Sequence, residues 1–148
     1  QELVYLSHHV PFDIVQFHGD ETPRECKLMA DRINKRWIKA LRISHDDTTE
    51  MIVAQIKELK DFGACSVLLD AYHPDKFGGT GDSFDWDKIP KHSPLPIILA
   101  GGLTADNVGE AIAKTNVYGV DVSGGIESAK GVKSLEKMSA FLNVVKSN

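Results

Sequence analysis

The residues best able to do chemistry stand at the ends of short apolar segments. Ser66-Val67-Leu68-Leu69-Asp70 is apolar until it ends in a carboxylate. Partial desolvation there favours a neutral carboxyl group, the form from which a general acid starts. A loop or helix-capping role is the alternative for Asp70. Two glycine pairs, Gly101-Gly102 and Gly124-Gly125 (the second led by Ser123), each follow an apolar segment and precede a helical pattern. Glycine at such a place lets backbone N–H groups approach an anion, with help from a helix start. One pair alone reads equally well as a tight turn. Two pairs on successive segment ends point to a phosphate site.

Other polar residues carry weaker signals. Gln16 and His18 are two apart, so in a strand both side chains leave on one face and could line a substrate pocket. A structural role is the alternative for His18. Asp121 alternates with Val120 and Val122, which places it inside a strand and suggests support of a neighbour by hydrogen bonding. The stretch Gly78-Gly79-Thr80-Gly81-Asp82-Ser83 lacks the GxxxxGK[ST] pattern of a nucleotide cradle and reads as a flexible substrate-covering loop. His8 and His9 fall in the tail of an earlier helix. His45, His73 and His92 lack partners at metal-ligand spacing, so no metal is assigned. Cys26 sits on a helical apolar stripe and reads as core. Cys65 lies five residues before Asp70, about 16 Å along an extended strand, too far to act beside it.

These groups need a scaffold that brings segment ends together. Five short runs rich in β-branched residues read as buried strands: 13–18, 37–43, 66–70, 96–100 and 118–122. Between them lie amphipathic helical patterns. Thr22-Pro23 opens one, with Cys26, Met29, Ala30 and Ile33 on its face. Thr48 or Thr49 opens the next, with Ile52, Ile56 and Leu59. Thr104 to Asn107 opens a third, carrying Val108, Ala111 and Ile112. Ser134 opens the last, with Leu135, Met138, Phe141, Leu142 and Val145 facing inward. Strand and helix in alternation require a parallel sheet, whose working face is where strands end and helices begin.

Composition limits the remaining classes. The chain has 148 residues, net charge −4, 42% hydrophobic and 26% charged residues, values that suit one globular domain over 1–148. Apolar runs are far shorter than the ~20 residues that span a bilayer, so no membrane partner is expected. No basic and apolar leader opens the chain. It begins Gln1-Glu2-Leu3 without Met, so it need not start where the gene product starts. The cysteines number two and lack metal-motif spacing, which points to a reducing, cytoplasmic setting. The acidic balance argues against a nucleic-acid partner.

Taken together, these strings resemble the phosphoribosylanthranilate isomerases of tryptophan biosynthesis. The matching pieces are Val15-Gln16-Phe17-His18-Gly19-Asp20-Glu21, Leu68-Leu69-Asp70, Gly78-Gly79-Thr80-Gly81 with Phe84-Asp85-Trp86, Leu99-Ala100-Gly101-Gly102-Leu103 with Asn107-Val108, and Val120-Asp121-Val122-Ser123-Gly124-Gly125-Ile126-Glu127 with Gly131. The resemblance implies a (β/α)8 TIM barrel and an Amadori rearrangement of N-(5′-phosphoribosyl)anthranilate to 1-(2-carboxyphenylamino)-1-deoxyribulose 5-phosphate. It makes Asp70 the general acid and a cysteine the base. It gives Gly101, Gly102, Ser123, Gly124 and Gly125 to the phosphate, and Gln16 and His18 to the substrate. It implies no metal and no organic cofactor. It leaves open a fusion to indole-glycerol-phosphate synthase and a homo-oligomer.

The sequence departs from the family at three places. Asp82-Ser83 stands where the family has Lys-Thr, and Ser123-Gly124-Gly125 where it has Ser-Ser-Gly. The Lys-Ile-Cys-Gly-Ile-Thr type of motif that bears the cysteine base is not present in these residues. The expected architecture is therefore a barrel represented by its last five units. Residues 13–148 give five units of about 27 residues each, whereas eight need about 216. Acid and phosphate site are then present without the base, and the 148 residues alone are expected to be inactive. The alternative is a non-catalytic phosphate-binding partial barrel that needs a partner or swapped strands.

Overall fold

The structure, a computed structural model, describes residues 2–73 and 84–148. The glycine-rich stretch 78–83 lies outside the described residues. After helix α1 (Glu2–His9) the chain alternates β1 (Ile14–Phe17), α2 (Pro23–Ile33), β2 (Arg36–Arg42), α3 (Thr49–Asp61), β3 (Ser66–Asp70), β4 (Ile97–Ala100), α4 (Val108–Thr115) and β5 (Gly119–Val120). A small antiparallel hairpin, β6 (Glu127–Ala129) and β7 (Val132–Lys133), precedes α5 (Leu135–Lys146). Strands β1 to β5 form one sheet in sequence order, and every pairing is parallel.

Local chemistry sets the helix starts. Thr22 and Glu25 form a reciprocal capping box at α2, with Pro23 in the first turn. The Thr48 side chain accepts from the Met51 N–H, and that of Ser134 from the Lys137 N–H. Asn34 and Asn116 close α2 and α4 in the left-handed conformation, which asparagine tolerates well.

Register divides the sheet into two unlike faces. Phe17, Lys39, Val67 and Ile97 align across four strands, and all four are buried against the helices. Val67, Leu69, Leu99, Cys26, Ile56, Val108 and Ala111 belong to this core. Each fully buried aliphatic side chain there contributes about 1.5–3 kcal/mol. The opposite face is open at Ile14, Gln16, Arg36 and Arg42, and covered only around Leu68 and Ala100.

Lys39 is the exception within the packed face. It is 5% exposed, and its Nζ donates to Gly19 O at 2.5 Å and Glu21 Oε2 at 3.0 Å. Glu21 also accepts from the Gly19 N–H. The Lys39 ammonium, by hydrogen bond and charge, holds the Glu21 carboxyl below the ordinary glutamate range. Its stabilisation is therefore complete above the unfolded value of 4.5 and is lost as pH falls through the lower folded value. Glu21→Gln should cost about 1–2 kcal/mol at pH 7. That is below the cost of breaking a fully buried pair, because the Glu21 side chain is partly solvated. The gap in urea midpoint between Glu21→Gln and wild type should narrow as pH falls below 4.5; a gap that does not change with pH would refute the assignment.

Three expectations change. The strand expected over 118–122 is only Gly119–Val120, since the chain turns into a single 3-10 turn at Gly124–Ile126. Asp121 thus lies just past β5, although its N–H extends the ladder to Leu99 O at 2.8 Å. Within α5, Phe141 is buried, but Leu135 and Leu142 are 79% and 50% exposed. That helix packs beside α4 and the 3-10 turn and has no strand beneath its outer face. Third, Gly124-Gly125 leads into the 3-10 turn and the β6–β7 hairpin before any helix, while the five parallel strands in sequence order are as the alternation of strand and helix requires.

Candidate active site

A cleft of about 720 Å³ opens where the strands end. Asp70 and Ala100 align in register at the ends of β3 and β4, and Val120 pairs with Leu99. Asp121 therefore sits at the same level as Asp70, two strands away, about 10 Å across the sheet. Both line the cleft, with Gln16 and Leu68 on its floor. Tyr72 and Phe84 form one wall; they pair as an antiparallel bridge, with ring centroids 5.3 Å apart. Behind that wall, His73 Nε2 lies 2.7 Å from Asp85 Oδ2, and Lys88 ties the segment to the carbonyls of Ser44 and His45.

Asp70 is held rather than free to swing. Its Oδ1 accepts from the Tyr72 N–H at 3.0 Å, which leaves the other carboxyl oxygen for the cleft. The approach of the next loop depends on glycine: a Cβ on Gly101 would lie 2.1 Å from Asp70 Oδ1, and its φ is +98°. The remainder of that loop is fixed by Asn107, whose Oδ1 accepts from Thr104 N at 2.8 Å and whose Nδ2 donates to Gly102 O at 3.0 Å. Leu103, 2% exposed, anchors it in the core.

The second glycine loop meets the first directly. A Cβ on Gly125 would lie 1.8 Å from Leu103 O, so these two backbones touch. Gly101, Gly102, Thr104, Ser123, Gly124 and Gly125 all line the cleft. Among the described lining residues none is Lys or Arg, so an anion there must be held by backbone N–H groups and the hydroxyls of Thr104 and Ser123.

The remaining sequence candidates fall elsewhere. His18 lies one residue beyond β1, exposed and outside the cleft lining, so only Gln16 of that pair faces the cavity. Cys65 stands at the amino end of β3, its Sγ donating to Trp37 O at 3.3 Å. Cys26 is wholly buried in α2, and burial pushes its thiol up from the ordinary value. Neither thiol lines the cleft. Two residues of the cleft wall were given no site role by the sequence. Tyr72 and Phe84 belong to a pairing that local periodicity does not reveal. Asp121, expected inside its strand as a hydrogen-bonding support, lies just past β5 and in the cleft lining.

Comparison with known proteins places this arrangement in one family. The model described as N-(5′-phosphoribosyl)anthranilate (PRA) isomerase matches residues 1–144. The chain is 49% identical over 145 residues to the N-(5′-phosphoribosyl)anthranilate isomerase of Pseudomonas putida strain GB-1, covering 98% of this chain and 66% of that protein. The Acinetobacter calcoaceticus isomerase is 45% identical over 136 residues, 92% of this chain and 62% of that one. The chain thus spans a little under two thirds of the length of these curated relatives. Among solved structures, phosphoribosyl anthranilate isomerase from Thermotoga maritima superposes with a TM-score of 0.78 at 29% identity, covering 99% of this chain and 68% of that one. A phosphoribosyl anthranilate isomerase in complex with reduced 1-(o-carboxyphenylamino)-1-deoxyribulose 5-phosphate superposes at 0.71 with 25% identity, covering 99% and 66%. On the family match over 144 residues and the identity to these relatives, the chain belongs to the phosphoribosylanthranilate isomerase family.

Proposed function

We propose that the gene product is a phosphoribosylanthranilate isomerase acting in tryptophan biosynthesis. The observation that carries this reading is the cleft itself: one fixed carboxylate, Asp70, packs beside the first of two touching glycine loops, and all of them line a cavity large enough for a phosphosugar. The neighbour that holds a reduced deoxyribulose phosphate supports the same substrate class.

In this reading the loops at Gly101-Gly102 and Ser123-Gly124-Gly125 hold the 5′-phosphate through backbone N–H groups. Asp70 gives its proton to the furanose oxygen. The C1′–O bond breaks and the anthranilate nitrogen lone pair forms the Schiff base. A cysteine thiolate then removes the C2′ proton, and the enolamine takes a proton at C1′ to give the ketone. Gln16 and His18 are assigned to substrate contacts, Gln16 from within the cleft and His18 from just beyond β1.

We further propose that strands β1 to β5 are the last five units of an eight-unit barrel. The coverage of about 66–68% of the relatives supports this. So do the open face of the sheet and, among the described residues, the unpaired outer edges of β1 and β5. The base then belongs to the earlier units, because neither Cys26 nor Cys65 reaches the cleft. Full-length gene product should convert phosphoribosylanthranilate, while the 16.3 kDa chain should show no turnover. Substantial turnover by the short chain would overturn the missing-base reading, and an inert full-length protein would favour a phosphate-binding partial barrel instead.

A further inference from the structure

Among the described residues the lining of the cleft contains no Lys or Arg, yet one lysine sits directly behind it. Lys133, on β7, donates from Nζ to Ser123 O at 2.9 Å and approaches Ser123 Oγ at 3.5 Å. The same ammonium pairs with Glu127 Oε1 at 2.8 Å. Among the described residues, Lys133 is the one cationic side chain that the structure shows hydrogen-bonded to a residue of the cleft lining. The β6–β7 hairpin brings it there, with Glu127 opposite Lys133 in register. Ser134 N closes the hairpin onto Ile126 O at 2.8 Å, and Lys137 Nζ grips Glu127 O at 2.6 Å. The hairpin therefore folds back onto the loop from which it springs.

The consequence lies in the Ser123–Gly124 peptide. In a trans peptide the C=O of one residue and the N–H of the next point in opposite directions. Lys133 holds the Ser123 carbonyl from outside the cleft lining, which turns the Gly124 N–H the other way. Ile126 N–H also reaches Ser123 O, but at 3.4 Å; with only that long bond the peptide could flip, since Gly124 meets nothing within 4 Å of its Cβ position and glycine resists rotation least. A flipped peptide would present a carbonyl oxygen to the phosphate in place of a donor. The lysine also puts a positive charge behind the donor, where the described lining residues supply none.

We propose that Lys133 is a positioning residue for the phosphate cradle: by holding the Ser123 carbonyl it fixes the Gly124 N–H toward the bound phosphate, with Glu127 fixing Lys133 in turn. This rests on the phosphate assignment above. The test uses the full-length enzyme and compares wild type, Lys133→Met and Lys133→Arg. The readouts are kcat, KM for phosphoribosylanthranilate and the competitive inhibition constant of inorganic phosphate. Lys133→Met should raise KM and the phosphate inhibition constant together by about tenfold, with kcat within about twofold. Lys133→Arg should recover most of both, since it keeps charge and donor. Lys133 is half exposed, so thermal midpoints should shift little. The proposal is overturned if the methionine variant leaves both constants within twofold of wild type, or if kcat falls while phosphate inhibition is unchanged. Failure of the parent reading looks different: wild-type enzyme would then show no competition by inorganic phosphate at all.

Discussion

Asp70→Asn in the full-length enzyme should lower kcat about 10³-fold, the middle of the range for a lost general acid. Affinity for the reduced product should change less than about threefold. The two expectations follow from one geometry. Asparagine keeps an oxygen to accept the Tyr72 N–H, so the side chain stays where Asp70 is held. It also keeps the close fit against Gly101, where no Cβ is accommodated. What it loses is the proton that, in the proposed mechanism, the furanose oxygen receives as the ring opens. An amide cannot supply it, so the loss falls on the chemical step and leaves ground-state binding in place. Near-normal turnover would remove Asp70 from the mechanism. A matching loss of product affinity would mean that the carboxylate binds and does not protonate.

Gly125→Ala should be as damaging by another route. Its Cβ would stand 1.8 Å from Leu103 O and 2.9 Å from Leu103 C, both backbone atoms. No side-chain rotation relieves such a clash, so the two glycine loops must part by an ångström or more. Displacement on that scale at a binding site costs about 10²-fold, and here it separates the two halves of the phosphate cradle. We expect kcat/KM to fall at least 10²-fold, mainly through KM. The neighbouring Gly124→Ser meets nothing within 4 Å, and its effect should be at least tenfold smaller. Steady-state kinetics on both variants checks the contrast; equal losses would show that the contact with Leu103 is not what glycine serves at 125.

How much of this was legible beforehand depended on whether the cause was local. Strand β3 is read correctly to the residue because an apolar run between Gly63 and Asp70 carries its own boundaries. The caps at Thr22, Thr48 and Ser134 are equally local, a side chain bonding an N–H three residues on. The glycine pairs marked two loops that line the cleft, but their mutual contact did not show, because Gly125 and Leu103 are distant in sequence and meet only in the fold. The same holds for Tyr72 and Phe84, and for Lys39 with Glu21. Strand β5 was overextended because Tyr118 and Val122 continue a β-branched and aromatic pattern, whereas pairing stops where β4 gives way to its glycine loop. Leu135 and Leu142 kept a helical period that suggested burial, but exposure is decided by what lies opposite, and no described residue buries them.

The short ladder of β5 has a consequence for motion. Two residue pairs and the flanking Tyr118 and Asp121 N–H groups join it to β4, while β3 is joined along its whole length to β2. Native proteins open locally where pairing is sparse before they unfold as a whole. Among the described strands that place is the Ser123 side of the cradle, not the Asp70 side. A phosphate bridging the two glycine loops would splice this loosely joined strand to its neighbour. Part of the substrate's affinity is then spent on order: the acid waits on a rigid strand, and the anchor is completed by the molecule it anchors.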